Sequence, residues 1–280
     1  MRKRWILALL LALFGATFLA ASQTRMGIAL LKSKRDFRPL PEDPRLWFAP
    51  GQMGKAVYYA SYLDDAIAMV SRAQLRDFAK PFRVYIPASQ ASFNEYTAAP
   101  PDGRASGTAF MANIFLSPDR NMPDPKGLLA HELSHLHLFQ HAGFGSRRNI
   151  PEWFVEGLAV KVSGMGTKDV SEADGRAAIA AGKTLIPHTH GGLLRTRRAK
   201  DHGINHFLYY RQSQMFVVWL EDRDPERFKR FLNRILDGAS FRASFREEFG
   251  FGIPAAFESF KTSVLATAGD TPPPAADGQR

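Results

Sequence analysis

Apolar residues recur at intervals of three and four along much of the chain, which is the spacing that aligns one face of an α-helix. The longest stretches with this pattern are 55–79, 125–141 and 151–162, and a shorter one covers 172–181. From residue 206 onward the pattern is helical throughout. The sequence therefore predicts several helices, most of them in the second half of the chain.

Strand patterns are confined to the first half. Residues 82–86 and 108–116 are rich in β-branched and aromatic side chains, which is typical of strands, and a short helix is predicted near 89–97 between them. Residues 164–204 are rich in Gly, His and Arg and are predicted to be mostly loop. Since strands come first and helices dominate afterwards, the sequence predicts an α+β fold with a small N-terminal sheet and a mostly helical C-terminal part.

The N-terminus has the pattern of a targeting segment. Three basic residues at 2–4 precede an uncharged apolar run of 17 residues at 5–21, and small residues occupy positions 20–22 at its end. We predict a signal peptide or an N-terminal membrane anchor at residues 1–22. Because basic residues stay on the cytoplasmic side, the remainder is expected to be exported, to the periplasm or the extracellular space.

Composition suggests where the folded domain begins and ends. Residues 23–50 carry four prolines, at 39, 41, 44 and 50, and are predicted to be a linker or arm. Residues 266–280 have no large apolar side chain and contain three consecutive prolines, so we expect a disordered tail. The folded domain is then predicted at residues 51–265.

The absence of cysteine narrows the chemistry that this chain can perform. With 0 Cys, disulfides, thiol nucleophiles, iron–sulfur clusters and Cys-ligated zinc are excluded, so a bound metal would need His and carboxylate ligands. The formal net charge is +10, but the basic residues are not interleaved with aromatic residues in a nucleic-acid-binding pattern. We therefore predict no nucleic-acid partner.

The strongest chemical signal is the string HELSH at 131–135, inside a predicted helix. His131 and His135 are separated by four residues, so both imidazoles project from one face and can bind the same ion. Glu132 lies about 100° around the helix, beside such an ion, where it could take a proton from a bound water. This arrangement is typical of a zinc site with a carboxylate base.

A third ligand is expected on the next helix, because a catalytic zinc site has three protein ligands and one open position. Glu156 lies 21 residues after His135, beyond a glycine-containing turn that could bring the two helices antiparallel. Glu152, one turn earlier, is an alternative, although its place directly after Pro151 favours a role in the first turn of the helix.

Together, HELSH and the string WFVEGLA at 153–159 resemble the gluzincin metallopeptidases, above all the peptidase MA-like type and also the aminopeptidase N type. The resemblance implies a zincin-like fold and one zinc ion per chain. It implies that His131, His135 and Glu156 are the zinc ligands and that Glu132 is the catalytic base.

A weaker part of the same resemblance is the string YYRQSQ at 209–214. It suggests that Tyr210 donates its hydroxyl to the oxygen that becomes negatively charged during hydrolysis. Tyr209 is the adjacent alternative, and packing is an equal alternative role for Tyr210. The loop histidines near these residues are further candidates, namely His188, His190, His202 and His206.

These patterns predict an exported zinc metallopeptidase that hydrolyses peptide bonds in a peptide or protein substrate. Residues 5–21 would anchor it to the membrane if they are retained. A non-catalytic metal-binding or scaffold protein on the same fold is the alternative. Glu132 argues against that alternative, because a purely structural metal site has no use for a base.

Overall fold

The computed structural model describes residues 24–110, 112–119, 122–165, 169–192 and 199–268. The predicted targeting segment at 1–22 lies outside the described residues, and so does the predicted tail beyond residue 268. Within the described ranges, no helix combines the length and the apolar character needed to cross a membrane.

The predicted fold class is confirmed, because five short strands near the N-terminus are followed by a largely helical region. The strands are β1 (Arg38–Leu40), β2 (Asp43–Phe48), β3 (Val84–Ile86), β4 (Gly107–Phe110) and β5 (Asn113–Leu116). The α-helices in the described residues are α1 (Arg25–Leu31), α2 (Met53–Ala73), α3 (Gln90–Thr97), α4 (Pro125–Ala142), α5 (Glu152–Ser163), α6 (Glu172–Ala180), α7 (His206–Arg223), α8 (Pro225–Leu236), α9 (Phe241–Phe249) and α10 (Ile253–Ala268).

The described residues divide into two compact units, and the first comprises those in the ranges 24–64 and 81–128. Its sheet has the strand order β1-β2-β3-β5-β4. The three central strands are parallel, and each edge strand is antiparallel to its neighbour. Aromatic side chains form one of its buried clusters, with Tyr85 and Tyr96 stacked on Phe115 at ring-centroid distances of 5.2 and 5.7 Å.

The prediction of a linker at 23–50 is wrong, because most of this segment belongs to the first unit. It forms α1 and the strands β1 and β2, with Leu40 and Leu46 fully buried. The prolines suggested an arm, but Pro39 lies on an edge strand, where a missing backbone N–H removes no essential ladder bond.

Three other predicted boundaries need correction. Residues 108–116 form the hairpin of β4 and β5 rather than one strand, because Ala112 turns the chain with a φ of 63°. Helix α2 ends at Ala73, well before residue 79, and Leu75 takes a left-handed φ of 66°. Helix α10 continues to Ala268, three residues into the predicted tail. The helices predicted at 89–97, 125–141, 151–162 and 172–181 are present within one or two residues.

The second unit comprises Asp65–Lys80 and the described residues from 129 to 268. Its core is built around α5 and α7, whose side chains Trp153 and Phe216 lie 4.7 Å apart between ring centroids. Phenylalanines from α8, α9 and α10 complete this core. Helices α5 and α7 approach closely at Gly157, where a Cβ atom would collide with the backbone carbonyl of Ser213.

Candidate metal centre

Helix α4 presents the first two predicted ligands on one face. Leu129, Leu133 and Leu136 are buried and fix the opposite side of the helix in the core. His131 and His135 then lie one turn apart, with their Nε2 atoms 3.2 Å from each other. The buried leucines therefore set the orientation in which both imidazoles can share one ion.

Helix α5 supplies the third donor. Glu156 Oε2 lies 3.4 Å from His131 Nε2 and 3.6 Å from His135 Nε2. Ligands of a tetrahedral zinc ion, each about 2.0–2.1 Å from the metal, lie about 3.3 Å apart. The three donors are thus spaced as three corners of such a tetrahedron, and this group could hold a metal ion.

One buried oxygen atom in this group supports a metal as its occupant. Glu156 Oε2 has no hydrogen-bond partner within the described part of the chain, although the side chain is only 14% exposed. A buried carboxylate oxygen without a partner is costly, and a cation at the centre of the three donors would remove that cost. Two imidazoles and one carboxylate are also a ligand set that suits zinc.

The glutamate and the histidines of this group shift each other's pKa values in the direction that favours their charged forms. Burial acts to raise the pKa of Glu156, but the neighbouring His135 and His131 lower it below its ordinary range. Burial acts to lower the pKa of His131, yet the Glu156 carboxylate raises it overall. Glu156 is therefore ionised at neutral pH, as a metal ligand must be.

The predicted base, Glu132, directly follows His131 on α4 and is not one of the three donors. It is 6% exposed, and its charge acts on the pKa of both His131 and Tyr210. A carboxylate beside the donors, rather than among them, is placed to hold a water molecule and accept its proton.

The structure distinguishes between the two adjacent tyrosines. The Tyr210 ring lies 5.8 Å from the His131 ring, and its hydroxyl is near enough to the Glu156 carboxylate for that charge to raise the pKa of Tyr210. Tyr209 instead packs against His202, 4.8 Å between ring centroids, and is almost fully buried. Burial and the charges of Glu156 and Glu132 raise the pKa of Tyr210 well above its usual value, so its hydroxyl stays protonated and can donate.

One residue near the donor group, His206, was considered in the sequence analysis only as one of four loop histidines. His206, at the start of α7, packs against Tyr210 with 4.1 Å between ring centroids and the rings tilted by 49°. Burial lowers the pKa of His206, and Glu156 and His131 are close enough to influence it. The four-residue spacing of His206 and Tyr210 could have indicated that they share a helix face.

The remaining candidates lie outside the donor group. Glu152 is not among the three donors, and with His188, His190 and Tyr209 it lines a small separate cavity. His202 accepts a hydrogen bond at Nδ1 from the backbone N–H of Ile186, 2.9 Å away. No second group of three metal-binding side chains occurs in the described ranges.

The other two histidines of α4, His137 and His141, make hydrogen-bond contacts that connect α4 to the segment after α2. His137 is fully buried, with its ring nitrogens 2.7 Å from Gln74 Oε1 and 2.8 Å from the Arg76 carbonyl oxygen. Burial lowers its pKa to about 4. His141 Nε2 lies 2.7 Å from the Asp77 carbonyl oxygen. Both rings contact the segment after α2, and neither belongs to the group of three donors.

One residue of the string at 209–214, Gln212, has a packing role. Gln212 is fully buried, donates to the Lys183 carbonyl oxygen at 2.7 Å and accepts from the Leu185 N–H at 2.8 Å. It therefore fastens the loop after α6 to α7. This role explains a glutamine at this position without any part in chemistry.

No model of a known protein family matches the chain, and no curated protein is significantly similar to it. The assignment of the site therefore depends on its residues and their geometry.

Proposed function

We propose that this protein is an exported zinc-dependent metallopeptidase of the gluzincin type that hydrolyses peptide bonds. The observation that carries the proposal is the convergence of His131, His135 and Glu156, with donor atoms 3.2–3.6 Å apart, together with a carboxylate, Glu132, whose charge acts on the pKa of His131. A structural metal site needs the three donors but not the adjacent base. Export is supported only by the targeting pattern of residues 1–22.

His131, His135 and Glu156 would hold the zinc ion. The bound metal supplies Lewis-acid chemistry, because it lowers the pKa of a water molecule and polarises a carbonyl group. Glu132 accepts the proton of the attacking water on its carboxylate and transfers it to the nitrogen of the leaving amine. Tyr210, which stays protonated, donates its hydroxyl hydrogen to the substrate carbonyl oxygen as negative charge develops there.

The test separates metal binding from chemistry. Glu132→Gln removes the base and keeps every ligand, so zinc should remain near one equivalent per chain while hydrolysis of a peptide library is lost. His135→Ala removes a ligand, so zinc and activity should be lost together. Zinc is measured by elemental analysis and cleavage by mass spectrometry of the new peptide ends.

Two results would contradict this proposal. Equal loss of zinc in both variants would assign Glu132 to the metal rather than to proton transfer. A wild-type protein that binds one zinc ion but cleaves no peptide would instead support the non-catalytic metal-binding protein.

A further inference from the structure

Helix α1 exposes an unusual amount of apolar surface for its length. Four of its seven side chains are large, apolar and about half exposed. Exposed apolar side chains are ordinary when they are scattered, but a cluster on one short segment indicates an interaction surface. These residues are Met26, Ile28, Leu30 and Leu31, with exposed fractions of 50%, 45%, 48% and 58%.

The helix is held so that this surface stays exposed. Ala29 is buried, and Lys32 at the end of the helix pairs with Glu95 of α3 at 2.7 Å. The Tyr96 hydroxyl, also on α3, donates to the Ser33 carbonyl oxygen at 2.6 Å. Because α1 is fastened through these contacts, its apolar side chains cannot turn inward within the first unit.

Positive charge accompanies the apolar side chains. Residues 24–40 contain five basic residues and one acidic residue, a net charge of +4. Arg25, Arg35 and Arg38 are exposed, and none of them has a carboxylate within ion-pair distance in the described part of the chain. Apolar side chains flanked by unpaired basic residues are the composition that binds an anionic lipid surface.

We propose that residues 24–38 form a membrane-docking surface that rests on an anionic bilayer, with the apolar side chains of α1 at the boundary between headgroups and acyl chains and the arginines on the phosphates. The uncharged apolar run at 5–21 ends three residues before Thr24, the N-cap of α1, so a retained anchor would deliver this surface to the bilayer. A second copy of the chain fits less well, because a two-fold contact would bring the same arginines together. The proposal does not depend on peptidase activity.

The lack of cysteine makes a site-specific test possible, because one introduced cysteine carries the only thiol label. The full chain is reconstituted in vesicles of phosphatidylglycerol and phosphatidylethanolamine, with a fluorophore at Leu30→Cys or at Leu265→Cys. Both leucines are 48% exposed, and Leu265 lies on α10, which makes it a matched control. Nitroxide lipids should quench the label at position 30 at least about threefold more than the label at position 265.

Charge reversal distinguishes docking from simple tethering by residues 5–21. Arg35→Glu with Arg38→Glu should reduce the quenching at position 30 by roughly half or more, as should vesicles of phosphatidylcholine alone. The same reversal at Arg242 and Arg246, which are exposed on α9, should leave it unchanged. Three results would each overturn the proposal. They are equal quenching at the two labelled positions, quenching at position 30 that is unchanged by the charge reversal at Arg35 and Arg38, and shielding of position 30 by self-association without lipid.

Discussion

At the scale of single residues, two neighbouring tyrosines have different environments that predict different effects. Tyr210→Phe removes the hydroxyl that lies near the Glu156 carboxylate but keeps the ring that packs between His131 and His206. If this hydroxyl stabilises the developing oxyanion, kcat should fall by a factor of about 10²–10³, with little change in KM. Steady-state kinetics on one peptide, with zinc measured in parallel, check this expectation.

Tyr209→Phe is the matched control. Tyr209 packs against His202 rather than against the donor group, so its loss of a hydroxyl should leave kcat nearly unchanged. Wild-type kcat in Tyr210→Phe would make Tyr210 a packing residue. The donor would then be sought at His206, which packs against the same ring.

A second residue-scale prediction concerns the two glutamates of α5. Glu156→Ala removes one of three donors, so zinc affinity measured by competition with a chelator should fall by at least about 100-fold. Glu152→Ala should cost only the interaction of a first-turn carboxylate with the helix dipole, about 0.3–1 kcal/mol of stability. Weaker zinc binding in Glu152→Ala than in Glu156→Ala would refute the ligand assignment.

At the scale of elements, the long amphipathic helices were predictable and several chain reversals were not. The helical spacing at 125–141 placed His131 and His135 correctly on one helix, because regular periodicity depends only on local sequence. The hairpin turn at Ala112 has no glycine at its left-handed position and so gave no sequence signal. Leu75 is a similar case, since the end of α2 coincides with Gln74 turning inward to Ser134 and His137.

The candidate site shows the same division between local features, which the sequence indicates, and tertiary contacts, which it does not. The spacing of His131 and His135 follows from one helix, but the approach of Glu156 depends on how α4 and α5 pack. The proximity of His206 to the site depends on the packing of α5 against α7, which no local pattern reports. Sequence therefore identified the residues of the metal group and left the neighbours on α7 as alternatives.

The close approach of α5 and α7 at Gly157 gives a prediction at the scale of elements. A Cβ atom at Gly157 would collide with the Ser213 carbonyl oxygen and lie 2.7 Å from its carbon, so Gly157→Ala must push α5 and α7 apart. Overpacking of this kind typically costs about 1–3 kcal/mol of unfolding free energy. It should also move Tyr210 away from Glu156 and lower kcat. Urea unfolding and kinetics measure the two effects.

Gly54→Ala is the control for an alanine in a helix. Nothing lies within 4 Å of a Cβ atom at Gly54 on α2, so the variant should be as stable as the wild type or up to about 1 kcal/mol more stable. If Gly157→Ala behaves like Gly54→Ala, the contact between α5 and α7 is less tight than the structure describes.

At the scale of the whole molecule, a metal held by α4 and α5 would cross-link two helices of the second unit. Zinc at 1,000 times its dissociation constant should add about 4 kcal/mol to the stability of the state that binds it. Hydrogen exchange should therefore slow in peptides from α4 and α5 when zinc is added, and by less in β1 and β2, which supply no donor. Glu132→Gln should show the same gain as the wild type, because it keeps all three donors, whereas His135→Ala should show none. A gain that survives in His135→Ala would mean that zinc stabilises the chain somewhere other than at this centre.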